Sequence, residues 1–312
     1  MKGTNIKAKI IADSISVHTD TRLTTYELEF PRWILAEVNT HRIASKNGAS
    51  SRAIPFDRMV ELCRTNMALP VHWGKNQAGM VAQEEIADYQ QGFAAAIWAK
   101  ARESAIEHAT DLHKMGVHKQ ICNRLLEPFM MMKMVFSATS YKNLFELRAH
   151  PDAQPEFQDL AYKMQDAYNM SLPIPMKMGE WHLPYVEISR DLEDDRLVYS
   201  SNGKEIDLKT AVKLSASLCA QVSYRRQDDT IEKAIQVFDR LITSKPLHAS
   251  PMEHQASPMF KHFKENGPNS EANNGIGDNI RFLTSMNLTD QFSGNLKNWS
   301  QYRQILQRPQ VI

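Results

Sequence analysis

His41-Arg42-Ile43-Ala44-Ser45-Lys46-Asn47-Gly48-Ala49-Ser50-Ser51-Arg52 is the stretch on which the reading of this chain turns. From Val38 to Phe56 there is no acidic residue, while Arg42, Lys46 and Arg52 accompany His41. Ser45, Asn47, Ser50 and Ser51 supply short hydrogen-bonding side chains, and Gly48 leaves room for a ligand to approach the backbone. Convergent hydroxyls, backbone amides and guanidinium forks suit a phosphate, which arginine can bind bidentately. An ordinary polar surface loop with chance positive charge has the same composition, and composition alone does not separate the two. Its Ser, Asn, Gly and Ala content marks residues 41–55 as a loop between two helical stretches.

Working outward, alternating apolar residues predict strands over Lys7 to Val17 and Leu23 to Phe30. Pro31 fits the first position of a short helix ending near Thr40. A long helix is predicted over Gln83 to Met115, with Ile86, Tyr89, Gln90, Phe93, Ile97, Ala101, Ala105 and Ile106 at helical spacing and Gly116 as its cap. His118 to Leu126 continues as a short helix that Pro128 ends. Met130 to Ala138 reads as a buried strand, although so short an apolar run fits a helix equally. Helices follow over Ser140 to Ala149 and Ala153 to Met170. After Leu172-Pro-Ile-Pro-Met176 the chain reads as irregular through Gly203. Asp207 to Tyr224 and Asp229 to Thr243 form an expected antiparallel helix pair, and Trp299 to Gln307 a terminal helix. Lys264 to Asn279, rich in Asn, Gly, Ser and Glu, reads as a mobile surface loop. The fold class expected is α+β: an antiparallel sheet packed with helices, in a single domain spanning residues 1–312.

The 312 residues, 42% of them apolar, suffice for a full core. A balance of 37 basic against 36 acidic residues argues against a general binder of nucleic acid polymers. Cys63, Cys122 and Cys219 lie far apart in no metal-binding spacing, which suits a reducing cytoplasm. Neither a signal peptide nor a membrane span is expected: Phe129 to Ala138 is interrupted by Lys133 and too short. His108, His113 and His118 are five residues apart, off the spacing of a helical metal pair, so no metal site is expected. The methionines Met130, Met131, Met132 and Met134 read as adaptable core. Glu193, Asp194 and Asp195 read as a solvated face or loop, and no GxGxxG or P-loop motif occurs.

The order of residues adds a resemblance. His41-Arg42, followed by seven residues and Ser50, resembles the Arg-His-Arg…Ser signature of the flavin-dependent thymidylate synthases. Downstream, Asn143-Leu-Phe-Glu-Leu-Arg148 and Ala153-Gln-Pro-Glu156 resemble the family's Asn-x-x-x-x-Leu-Arg helix and the segment after it. Asn123-Arg-Leu-Leu-Glu-Pro128 resembles its Ala-Arg-x-x-Leu-Pro element. Cys219-Ala-Gln-Val-Ser-Tyr224 and His248-Ala-Ser-Pro-Met-Glu-His254 resemble two elements that precede the signature in the family but follow it here. The resemblance therefore implies a circularly permuted, divergent member, with residues 207–262 as its flavin-side segment.

What the resemblance implies is methylation of dUMP to dTMP, with methylenetetrahydrofolate as carbon donor and NADPH as reductant through FAD. Ser50, Ser51, Arg52 and Arg124 would contact the nucleotide. Arg148 would contact its pyrimidine ring and stabilise charge that develops during attack; a surface arginine paired with Glu146 or Asp152 is the plainer alternative. His41, Arg42, Asn143, His248, Ser250 and Glu253 match positions around FAD, and Ser223 either reaches the flavin or bonds its own helix. His254 has a plain alternative as a satisfied turn histidine. No cysteine lies in a motif, so the three read as core. A homotetramer is implied by the resemblance alone.

The chain departs from the family at several points. Thr40 stands where the family has its first signature arginine, Gly48 where it has Glu, Glu37 where it has Gln, and Ser137 and Thr139 where it has Asn and Arg. Arginine to threonine removes a permanent charge and a bidentate donor; Arg303 is a candidate substitute cation. These departures leave open a hydroxymethylating or cytosine-nucleotide-specific relative, and a non-catalytic nucleotide-binding homologue.

Overall fold

The computed structural model describes residues 5–80, 82–224, 228–259 and 294–306. The loop expected over Lys264 to Asn279 lies outside them, as does part of the 207–262 segment. The architecture is α+β, and the expected antiparallel sheet with packed helices is its centre.

Five strands run in the order β3-β4-β2-β1-β5, formed by β1 (Lys7–Ser16), β2 (Arg22–Pro31), β3 (Ser45–Gly48), β4 (Met131–Ala138) and β5 (Ile174–Met176). All neighbours are antiparallel except β5, which lies parallel to β1. Period-two alternation decides which way each side chain points. Tyr26, Leu28 and Phe30 join Met132, Met134 and Phe136 in one core, against Met59, Ile106, Leu144, Phe157 and Leu160 of the helices. On the opposite face, Val135 meets Cys219 and Val222, with Ile11 and Tyr185 at the margin. Strand β4 is thus covered on both sides, which explains its nearly unbroken apolar run. Its one charge, Lys133, is paired with Glu27 at 2.9 Å.

Helices α1 (Leu35–Thr40), α2 (Phe56–Thr65), α3 (Asp88–Lys114), α4 (Lys119–Cys122), α5 (Lys142–Arg148) and α6 (Pro155–Met170) belong to the first layer. The expected start of α3 at Gln83 is corrected to Asp88, and its register differs too. Trp98, Ile106 and Ala109 face the core, whereas Tyr89, Phe93 and Ile97 point outward. The indole N–H of Trp98 donates to the Ala68 carbonyl at 3.0 Å, and its ring meets Trp33, Trp73 and Phe129 edge-on. That aromatic anchor sets the rotation of the helix. After α4 the chain tightens into a 3-10 stretch over Asn123–Phe129 that passes through Pro128.

Two further expectations are corrected. The segment 45–48 is a strand, because its backbone completes the edge of β4. The region through Gly203 holds a three-stranded meander, β6 (Glu187–Arg190), β7 (Leu197–Ser201) and β8 (Lys204–Ile206). Asn202 and Gly203, both at positive φ, close the β7–β8 hairpin, as the tight right-handed twist of paired strands demands. Asp194 and Asp195 lie in the connection from β6 to β7, with Asp195 paired to Lys177 and Arg190.

Helix α7 (Leu208–Gln221) begins at Asp207, whose carboxylate accepts from the Thr210 amide at 3.0 Å, a standard N-cap. It packs on α8 (Ile231–Thr243) and is buried from Ala211 onward except at Lys213. Residues 222–224 form a 3-10 turn rather than the last α turn expected. The expected terminal helix at Trp299 begins as β10 (Trp299–Gln301), paired with β9 (Ala256–Pro258), before α9 (Tyr302–Leu306). Trp299 is fully buried, so strand pairing carries its side chain into the second core.

Candidate functional site

Strand β3 organises the site because alternate residues of the signature stretch face different neighbours. Lys46 points toward the first core: its ammonium donates to the His41 carbonyl and lies 5.6 Å from the Phe136 ring centre. Ser45 and Asn47 point the other way. The Ser45 hydroxyl is bonded to the Gln301 amide at 2.9 Å, and the Asn47 amide donates to the Cys219 carbonyl. The Ser50 amide donates to the Ser223 carbonyl at 3.1 Å, and the Ser223 hydroxyl to the Gly48 carbonyl at 3.4 Å. Signature loop and 219–224 segment are therefore stitched together. A Cβ on Gly48 would meet the Met132 methyl, so the missing side chain leaves room for that methyl within the sheet.

At one end of the loop lies a cationic cluster. Arg148, at the end of α5, donates from Nε to His41 Nε2 at 3.3 Å and from Nη2 to Thr40 Oγ1 at 3.4 Å. Its guanidinium carbon sits 4.9 Å from the Phe157 ring centre, and Phe157 meets His41 edge-on. Pairing of Arg148 with Glu146 or Asp152 is not what the fold contains: those carboxylates face Lys142 and His150. Burial, then the charges of Arg148 and Lys46, lower the His41 pKa from 6.5 to about 4. His41 is neutral near pH 7, which lets Nε2 accept the Arg148 bond.

A second cluster surrounds Glu127, a residue the motifs did not single out. Its Oε1 accepts from Ser51 Oγ at 2.5 Å and from Arg124 Nη1 at 2.9 Å, with Arg32 at 3.5 Å. Ser51 is buried and committed to this carboxylate, whereas Ser50 is half-buried and Arg52 exposed. Glu127 lies four residues after Asn123, whose amide holds the Ser51 and Ile54 carbonyls at 2.7 and 3.0 Å. Its place inside the Asn123–Pro128 element was the available signal.

Behind the loop opens a cavity of about 900 Å³. Asn47, Ser223, His248 and Ser250 line it, so three sequence-distant segments of the expected site converge there. Arg58, Lys233 and Arg240 bring positive charge, Asp228 negative charge, and Tyr224 an aromatic ring. The sequence reading missed Arg58, Lys233 and Arg240, because helix-surface cations carry no motif. Among the expected flavin residues, Arg42 and Asn143 are exposed elsewhere. Neither they nor His41 lines this cavity.

Glu253 is held by Arg303, and its carbonyl accepts from Gln301 at 2.6 Å. Arg303 is therefore engaged with the 3-10 turn Ser250–Glu253, and the cation that reaches Thr40 is Arg148. This corrects the expected substitution. Ser137 is buried, bonded to Thr25 Oγ1 at 2.6 Å and His254 Nδ1 at 2.8 Å. His182 bonds Thr25 at 2.8 Å and Ser14 at 2.9 Å. His254 Nε2 is buried without a partner among the described residues, so His254 is only half satisfied.

The model of the thymidylate synthase complementing protein family, Thy1, matches residues 16–174, just over half of the chain. The chain belongs to that family. Among solved structures, a UMP/dUMP methylase, PolB from Streptomyces cacaoi bound with 5-Br dUMP, aligns at 17% identity and TM-score 0.42 over 53% of this chain and 90% of that one. The same methylase bound with 5-Br UMP aligns at 14% identity and TM-score 0.44, over 53% and 89%. No curated protein matches this chain significantly in sequence. No described helix is long and apolar enough to cross a membrane, and no group of His, Cys, Asp or Glu among the described residues could hold a metal.

Proposed function

We propose that this chain is a cytoplasmic flavin-dependent one-carbon transferase that methylates dUMP to dTMP, drawing carbon from methylenetetrahydrofolate and reducing power from NADPH through FAD. The observation that carries the reading is the convergence of the signature loop with residues 219–224 and 248–251 around one cavity. The residues fit an anionic dinucleotide: cations outnumber carboxylates on the wall, and apolar surface from Val237, Leu241 and Pro251 accompanies Tyr224. Bound flavin would supply the redox chemistry. The remaining roles fall to the chain. Arg148, oriented by neutral His41 and braced on Phe157, offers its guanidinium to charge developing on a pyrimidine. Ser50, Arg52 and Arg124 supply surface donors for the nucleotide phosphate.

The segment order supports a circular permutation, since residues beyond the family match at 16–174 return to the signature loop. His41, Arg42 and Asn143 lie off the cavity, so flavin contact by these residues needs a second copy of the chain. A second copy is therefore part of the proposal, and its arrangement as a homotetramer rests on the resemblance. The exposed Tyr89, Phe93 and Ile97 of α3 supply a surface for it.

A related reading, action on a cytosine nucleotide, is favoured by Glu37. Its Oε2 is buried without a hydrogen-bond partner among the described residues, one helical turn before Thr40. An acceptor-only carboxylate suits a ligand amine. The purified protein is expected to show flavin absorbance and to convert dUMP to dTMP. A protein that neither carries nor takes up flavin overturns both enzyme readings and leaves a nucleotide-binding homologue. Conversion of cytidine but not uridine monophosphates selects the second reading.

A further inference from the structure

The cavity has one wall that no motif marks. On α8, Lys233, Val237 and Arg240 stand at i, i+4 and i+7, so they share the face turned to the cavity. The two cations are seven residues apart, roughly 10 Å along the helix axis. Neither makes an ion pair or side-chain hydrogen bond among the described residues. The neighbouring carboxylate on α8, Asp239, lies 3.6 Å from Lys213. Asp228, which lines the cavity three residues before α8, has its Oδ1 occupied by the Thr230 amide at 3.1 Å and the Thr230 hydroxyl at 2.7 Å. Tyr224 leaves 54% of its surface open at the same cavity.

We infer that α8 is a diphosphate-binding wall: Lys233 and Arg240 grip the linked phosphates of a dinucleotide whose ring system lies against Tyr224. A single phosphate would engage one cation, whereas a linked pair spans both. The guanidinium supplies a planar fork and the ammonium a mobile point charge. A volume of about 900 Å³ is at the upper end for a small-molecule site, which suits a dinucleotide better than a mononucleotide. Val237, between the cations, keeps the wall apolar and strengthens both contacts. The phosphate grip is thus assigned to α8, leaving the signature loop to the substrate. Naming the dinucleotide as FAD rests on the proposed function; the grip itself does not.

Titration calorimetry of the full chain with FAD, ADP and riboflavin tests this. Wild type is expected to bind FAD and ADP. Arg240→Gln and the double variant Lys233→Gln/Arg240→Gln should weaken both by about tenfold or more, the loss of one or two charge-assisted bonds. Riboflavin, which has no phosphate, should bind equally to all three proteins. Both side chains reach the surface of α8, so circular dichroism and melting temperature should be unchanged, and Arg240→Lys should recover part of the loss. Unchanged FAD and ADP affinity in the variants overturns the inference. So does a parallel loss of riboflavin, or a wild type that binds neither phosphate ligand. If ADP binds and is lost in the variants while no flavin is taken up, the α8 wall stands and the flavin reading falls.

Discussion

Arg148 shows how much one side chain's role depends on its neighbours. Its place in the Asn143–Arg148 motif was legible in the sequence, yet its orientation comes from His41 Nε2 and the Phe157 ring. Arg148→Lys keeps the charge and loses the fork, so turnover should fall about 100- to 1000-fold, read in steady-state kinetics. Nucleotide affinity should change far less; equal losses in both would assign Arg148 to ground-state binding. His41→Phe retains a ring against Phe157 but removes the acceptor, and should cost turnover without unfolding the chain. Glu127 escaped sequence reading because a carboxylate in a basic nucleotide motif looks like an ordinary helix residue. Only the approach of Ser51 and Arg124 to one oxygen reveals its role.

Elements were read well where period and burial agree. Strands β1, β2 and β4 and helices α5 and α6 emerged close to their predicted ranges. Strand β3 did not, because three polar residues and a glycine carry no alternation and form a strand only through the free edge of β4. The meander at 187–206 was missed although Asn202-Gly203 is a recognised hairpin signal. In α3 two apolar stripes compete, and the Trp98 cluster wins the core. The losing stripe leaves Tyr89, Phe93 and Ile97 at 73%, 70% and 67% exposure. If it carries the subunit contact, Phe93→Lys with Ile97→Lys should reduce the sedimenting mass while circular dichroism stays unchanged. An unaltered mass removes α3 from the interface.

Across the whole molecule, a polar seam joins three strands of the sheet to two segments outside it. Ser14, His182, Thr25, Ser137 and His254 form a buried hydrogen-bonded row. Burial lowers the pKa of both histidines from 6.5 to about 3, and His182 further lowers that of His254. The folded state therefore binds fewer protons than the unfolded chain between those values, so stability is full above 6.5 and is lost as pH falls toward 3. Within that window each histidine changes stability by up to about 1.4 kcal/mol per pH unit. Urea midpoints should fall between about pH 7 and about pH 4.5, and His254→Gln should make that fall shallower. An equal pH dependence in wild type and variant would show that the seam does not control acid stability.

The sequence by itself determined the signature motif, strands β1, β2 and β4 of the main sheet and the family. Each of these is written in consecutive residues or in a period of two. Only the tertiary structure decided which partner each donor takes. Ser51 finds Glu127 across 76 residues, Arg148 finds His41 across 107, and Ser223 finds Gly48 across 175. The wall of cations on α8 belongs to the same class. A charge on a helix face becomes a binding group only when folding seals a cavity against it, and no local pattern records where that cavity will be.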